Sequence, residues 1–167
     1  MTNEPKWLSL ARSEIGTLEI PGEGDNPKII QYAKDAGVVD VVNHDSVPWC
    51  AAFVGAMLHR AGIEPTGKAN ARSYDEWGVK LLGPVKGCIV VLNRPPNPWQ
   101  GHVAFCAGAE DHLLQLIGGN QGDKVSLASF NRNRVSSYRW PPGVPIEPEW
   151  VAPRLEVLTS LLEPTTA

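Results

Sequence analysis

No run in this chain approaches the roughly 18 consecutive apolar residues that a membrane-crossing helix needs, so membrane insertion is not expected. A basic surplus is also missing. Eighteen acidic residues against fifteen Lys and Arg leave a net charge of −3, which excludes the cationic footprint of a nucleic-acid binder and a polybasic membrane anchor. Cysteine is scarce: Cys50, Cys88 and Cys106 are odd in number and widely spaced, so they make no disulfide framework. CxxC and HExxH patterns are absent, and no metal site is expected. No GxGxxG or GxxxxGK[ST] run offers a phosphate cradle, and no internal repeat is visible. Residues 1–10 lack a basic stretch followed by an apolar one, so no secretory leader is expected and synthesis in the cytoplasm is.

What is present fits one ordinary globular domain. The chain has 167 residues, of which 43% are apolar, with 16 Gly and 15 Pro supplying many loops. Trp7, Leu8, Ala11 and Ile15 recur at helical spacing and predict a helix over Lys6–Ile15, ended by Gly16. A turn-rich stretch follows (EIPGEGDN, residues 19–26). Asn26 before Pro27 signals a helix start, Ile29, Ile30 and Ala33 form its apolar stripe, and Gly37 stops it. The strongest helix signal comes next. Asp45 and Ser46 are expected to cap it and Pro48 to sit in its first turn. Cys50, Phe53, Val54, Met57, Leu58 and Ala61 form its inner face, and Gly62 closes it. A weaker helical piece is expected over Ala71–Trp77.

Beyond Gly87 the periodicity turns to that of strands. Strands are expected at Cys88–Leu92, His102–Ala107, His112–Ile117, Lys124–Leu127 and Val135–Trp140. The loop Asn93–Gln100 carries Trp99 at its tip, and residues 108–111 are expected to link a hairpin. Helices followed by an antiparallel sheet read as an α+β domain over residues 1–140. Residues 141–167 read as a Pro-rich linker, Pro141–Pro148, and a short helix over Trp150–Leu162 with Leu155, Leu158 and Leu162 on one side.

Three residues in this layout carry possible chemistry. Cys50 falls in the first turn of a helix, where free N–H groups and the dipole favour a thiolate; as a small apolar residue it also suits simple burial. His102 begins a strand directly after Gly101, which puts an imidazole at a sheet end. With His102 opposite Ile117 in the expected hairpin, the bend at Gly118 and Gly119 brings Asn120 to the same end, where its amide can orient the ring. Gln121 and Asp123 are rival orienting groups from that loop. His44, His59 and His112 read as loop, helix-end and strand-start residues. A nucleophile, a base and an orienter in the order Cys, His, Asn follow the logic of a thiol hydrolase.

Three segments together resemble a known family: Pro48-Trp49-Cys50-Ala51-Ala52-Phe53-Val54, Gly101-His102-Val103-Ala104-Phe105 and Gly118-Gly119-Asn120-Gln121. They look like the papain-like amidase/peptidase group, which includes the CHAP and NlpC-type domains that cut peptidoglycan. Residues 19–27, Tyr32 and the surroundings of Trp77 are similar to a bacterial and phage branch of it. The resemblance spans roughly residues 5–140. It implies a papain-like fold with Cys50 as nucleophile, His102 as general base and acid, and Asn120 as orienter. It further implies the Cys50 N–H as one oxyanion donor, with Asp45 or Ser46 near the second. Trp49, Tyr74, Trp77 and Trp99, with Tyr138, are expected to line a substrate groove.

No metal or organic cofactor is required by that chemistry. The implied protein is a monomeric, single-module lysin of the phage endolysin type, with a phage-tail or secretion-system cargo as the other delivery route. It would be made in the host cytoplasm without a signal peptide and would act on bacterial peptidoglycan after release. An acidic residue is usual in the family where Cys88 stands, so Cys88 and Cys106 read as packed strand residues. The competing readings are a thiol peptidase with a non-wall substrate, a catalytically inactive wall-binding module on the same fold, and a structural virion protein.

Overall fold

A computed structural model of the protein describes residues 3–22 and 24–156. Its order is α1 (Lys6–Ser13), α2 (Pro27–Asp35), α3 (Cys50–Arg60), a 3-10 segment (Ala71–Glu76) and six strands. The strands are β1 (Val79–Leu81), β2 (Ile89–Asn93), β3 (Gly101–Ala109), β4 (Leu113–Gly118), β5 (Ser126–Asn131) and β6 (Val135–Trp140). They form a single sheet in the order β1-β6-β2-β3-β4-β5, with every neighbouring pair antiparallel. The domain is α+β, as the change of periodicity implied.

The centre of the core is α3. Every residue from Cys50 to Leu58 is buried, because α1 and α2 cover one side and the sheet, chiefly β3, the other. Small residues make this possible. A Cβ added at Gly55 would stand 2.7 Å from the Ala36 Cβ, so glycine there lets the end of α2 lie directly on α3. Asn26 caps α2 by accepting from the Lys28 N–H at 2.9 Å, as its position before Pro27 implied.

The start of α3 differs from expectation. Asp45 and Ser46 do not cap it; the cap position is Trp49, and Pro48 lies outside the helix. The residue before a proline disfavours helical backbone, which keeps Val47 out. The Asp45 carboxylate is buried and accepts the N–H groups of Ile20 (2.8 Å) and Asn26 (2.9 Å). Its role is to fasten the 19–26 turn beneath the helix start.

The β3–β4 hairpin also departs from the expected register. Phe105 faces Ile117 and Ala109 faces Leu114, with an irregularity between Cys106 and Gly108. β3 thus takes in Gly108 and Ala109, the first half of the expected link, and Glu110 N–H closes the turn on Leu113 O at 3.0 Å. Gly108 reads as turn punctuation in the sequence, but it marks a close approach. An added Cβ would lie 2.3 Å from Arg154 O, because the C-terminal segment crosses the sheet there.

That segment is no free linker. Trp140 donates its indole N–H to Val144 O at 2.8 Å, and Trp150 packs on Trp140 with ring centroids 6.1 Å apart. Val151 pairs with Val85, and Arg12 grips Glu156 through two hydrogen bonds of 2.7 and 3.0 Å. Residues 151–156 are non-helical, contrary to the expected helix over Trp150–Leu162; Leu158 and Leu162 lie outside the described residues. The sequence reading passes over β1, three residues with two exposed, and places β5 two to four residues early, since its half-buried edge pattern alternates weakly.

Candidate active site

Cys50 is the first residue of α3, and the residue is 8% exposed. Two features fix the helix start at this point. Proline before Trp49 limits extension backwards, and the Trp49 N–H is captured from the far side of the sequence by Asn120 Oδ1 at 3.0 Å. The Cys50 N–H is one of the four that the geometry of a helix start leaves without an intrahelical acceptor.

His102 reaches Cys50 from the start of β3. Burial pushes the thiol up, but hydrogen bonding to His102, its charge, and the N–H groups of Val103 and Ala51 outweigh this and hold the Cys50 thiol below its ordinary value. On the imidazole, burial works downward. Hydrogen bonding and charge from Cys50, with the bond to Gln121, prevail against it and against Arg134, and raise the ring above its ordinary value. The two shifts run in the direction that favours a thiolate–imidazolium pair.

The ring is oriented by Gln121, one residue beyond the expected Asn120. Gln121 Oε1 lies 2.9 Å from His102 Nε2. The amide cannot face the other way, because its NH2 group donates to Leu116 O (3.1 Å) and Ser126 O (2.9 Å). Oε1 therefore accepts, Nε2 carries the proton, and Nδ1 is the nitrogen left for sulfur. Gly118 and Gly119 make the arrangement sterically possible. A Cβ at Gly118 would meet Gln121 Oε1 at 2.6 Å, and one at Gly119 would meet the Trp49 ring at 2.5 Å. Asn120, at φ 61°, turns its side chain to the Trp49 N–H while its neighbour holds the ring. The observed register bears on the change: Ile117 faces Phe105 instead of His102, a displacement of three residues, so β4 ends at Gly118 against Ala104 and His102 meets the loop beyond it.

A cavity of about 640 Å³ opens onto this group. It is lined by Cys50, His102, Asn120, Gln121 and Phe130, together with Arg94 and Arg134. Phe130 stacks on the imidazole with centroids 5.5 Å apart and planes at 25°. No family model matches this chain, and comparison with curated proteins finds no match.

The aromatic residues expected in a groove do not line this cavity. Trp49 is fully buried and donates its indole N–H to Glu19 at 2.7 Å. Tyr74 is buried against Trp77 (5.5 Å between centroids), and Trp77 donates to Glu64 O at 3.1 Å. Trp99 is 70% exposed on its loop and is not part of the lining. Tyr138 is half-buried in β6. Aromatic type marked these positions without saying which face they take. Asp45 and Ser46 are also absent from the lining, and Asp45, bonded to two backbone N–H groups, is an acceptor. Phe130, Arg94 and Arg134 were missed, since nothing local separates them from other loop and edge-strand residues. Among the described residues no group of three or more His, Cys, Asp and Glu gathers as a metal site.

Proposed function

We propose that this protein is a papain-like cysteine amidase/peptidase that hydrolyses an amide bond in the peptide of bacterial peptidoglycan, in the manner of a phage endolysin. The observation that carries the thiol mechanism is the buried Cys50–His102 pair at a helix start, with the far ring nitrogen held by Gln121. The wall substrate and the papain-like assignment draw on the Cys50, His102 and Gly118–Gln121 motifs. A cysteine-bearing helix packed on an antiparallel sheet that supplies the histidine supports them.

The Cys50 thiolate attacks the amide carbonyl carbon, and the C=O electron pair moves to oxygen. The Cys50 N–H and the Asn120 NH2 group receive that oxyanion. Asn120 suits this because its Oδ1 is committed to Trp49, which commits its NH2 to the other side, and because it lines the cavity with Cys50. The His102 imidazolium gives its proton to the leaving nitrogen as the C–N bond breaks. Neutral His102 then takes a proton from water as its oxygen attacks the thioester carbon; the C–S bond breaks, the acid leaves and the Cys50 thiolate with the His102 imidazolium is restored. Gln121 keeps the imidazole in plane and in one tautomer throughout.

Purified peptidoglycan digested with the parent protein, Cys50→Ala and His102→Ala tests the reading. The parent is expected to release fragments and both variants to lose at least about a thousandfold. A Cys50→Ala protein that releases fragments at the parental rate would end the proposal. Mass spectrometry of the fragments identifies the bond: a new amine on the first alanine defines an amidase, and one within the stem an endopeptidase.

A further inference from the structure

The cavity beside Cys50 and His102 carries an electrostatic imbalance. Arg94 and Arg134 line it, and no carboxylate does, in a chain whose net charge is −3. Neither arginine is ion-paired among the described residues. The neighbouring Arg72 is different: it pairs with Asp75 at 3.2 Å and bonds Asn93 Oδ1 at 2.6 Å, so its charge is already answered.

Arg134 is also held in place. Its Nε and Nη2 reach Asn93 O at 3.4 and 3.2 Å, and its guanidinium lies 5.7 Å from the centre of the Phe130 ring. Phe130 in turn stacks on His102. Imidazole, phenyl and guanidinium thus form one continuous wall of the cavity. A guanidinium has five N–H donors, so two contacts to Asn93 leave three for a ligand. Arg94 follows Asn93 in the chain and also lines the cavity, which adds a second cation to it. One held guanidinium and a second, exposed one beside the same cleft suit a carboxylate.

We infer that the cleft binds an acidic peptide, with a substrate carboxylate held by Arg94 and Arg134 next to the amide that Cys50 attacks. This rests on the hydrolase reading and specifies its substrate. It also accounts for an otherwise adverse feature: Arg134 works against the imidazolium of His102. A bound carboxylate offsets the Arg134 charge and weakens that opposition, which favours the charged form of His102.

Two alkylating reagents of similar size test it on the full chain. Iodoacetate carries the carboxylate and iodoacetamide is its neutral counterpart. The ratio of their rates at Cys50 cancels any change in thiol ionisation. At low ionic strength the ratio is expected to fall at least roughly threefold in Arg94→Gln and further in Arg94→Gln/Arg134→Gln, and added salt should compress the parental ratio. Arg94 is exposed, so its single variant tests the charge without depending on a rebuilt cleft wall. With wall peptides that differ only in a free carboxylate or a carboxamide, the parent is expected to favour the acid in kcat/KM and the double variant to lose the preference. An unchanged reagent ratio in the double variant overturns the inference and leaves the hydrolase reading standing. A Cys50 that neither reagent labels overturns both.

Discussion

Replacing Gln121 separates the group that orients the imidazole from Asn120, the group proposed to serve the oxyanion. Gln121→Ala removes three hydrogen bonds of 2.9–3.1 Å: one to His102 and two to the carbonyls of Leu116 and Ser126. At about 1 kcal/mol net for each, the native state loses about 3 kcal/mol, which in a chain of this size lowers Tm by roughly 6–12 °C. The chemical effect is separate. With Nε2 unpaired, the imidazolium loses one of the groups that raises it, and the ring is free to turn from the sulfur. The pH midpoint for alkylation of Cys50 by iodoacetamide should then move upward. Asn120→Ala removes one bond, to the Trp49 N–H. It should cost about 1 kcal/mol and leave the alkylation midpoint in place, while wall turnover falls about a hundredfold through the lost oxyanion donor. Thermal unfolding, alkylation profiles and turnover of the two variants distinguish the roles. A midpoint that moves in Asn120→Ala and stays fixed in Gln121→Ala would refute the assignment of the ring's partner.

Four further outcomes follow from the same contacts. Alkylation of Cys50 should rise as pH passes a midpoint below the ordinary thiol value. In His102→Ala only burial and two backbone N–H groups remain, so the midpoint should move up, by stopped-flow labelling, with burial the largest influence. Native protein should label at one thiol: Cys106 is raised well above its ordinary value by its hydrogen bond to Cys88 and by burial, and both are inaccessible. Peptide mapping that finds Cys88 or Cys106 labelled before unfolding would contradict this. Gly119→Ala drives a methyl to 2.5 Å from the Trp49 ring and should cost about 1–3 kcal/mol, measured by urea unfolding. Arg12→Ala leaves the buried Glu4 carboxylate short of its main partner and frees Glu156, a loss of about 2–3 kcal/mol. The net effect of its partners holds Glu4 below its ordinary value despite burial. Its contribution is therefore complete above the usual carboxyl range and disappears as pH falls through the depressed native value; the variant's stability should depend less on acid pH than the parent's.

The helices were legible where a period and a stop signal coincide. α2 has Asn26 as its cap and Gly37, at φ 77°, as its stop, both readable as residue types. Cys50 and His102 were placed because a helix start and a strand start are local features. The hairpin register was not local. No Asn-Gly or Asp-Gly pair fixes the turn after β3, and Gly108 answers to Arg154, 46 positions away, a contact that no window of sequence contains. A three-residue displacement of that pairing is enough to exchange Asn120 for Gln121 at the imidazole. The same limit applies to the aromatics. Trp49, Tyr74 and Phe130 are alike in type, and only packing puts the first two in the core and the third on the cavity wall.

By itself the sequence determined the class of the fold and placed Cys50 at a helix start and His102 at a strand start, because period and stop signals are properties of neighbouring residues. Tertiary structure alone decided which amide orients the ring, which captures Trp49, and that two arginines share a cleft without a carboxylate. Each of those outcomes depends on strand register and on the approach of segments remote in sequence, where an ångström of backbone displacement exchanges one partner for another.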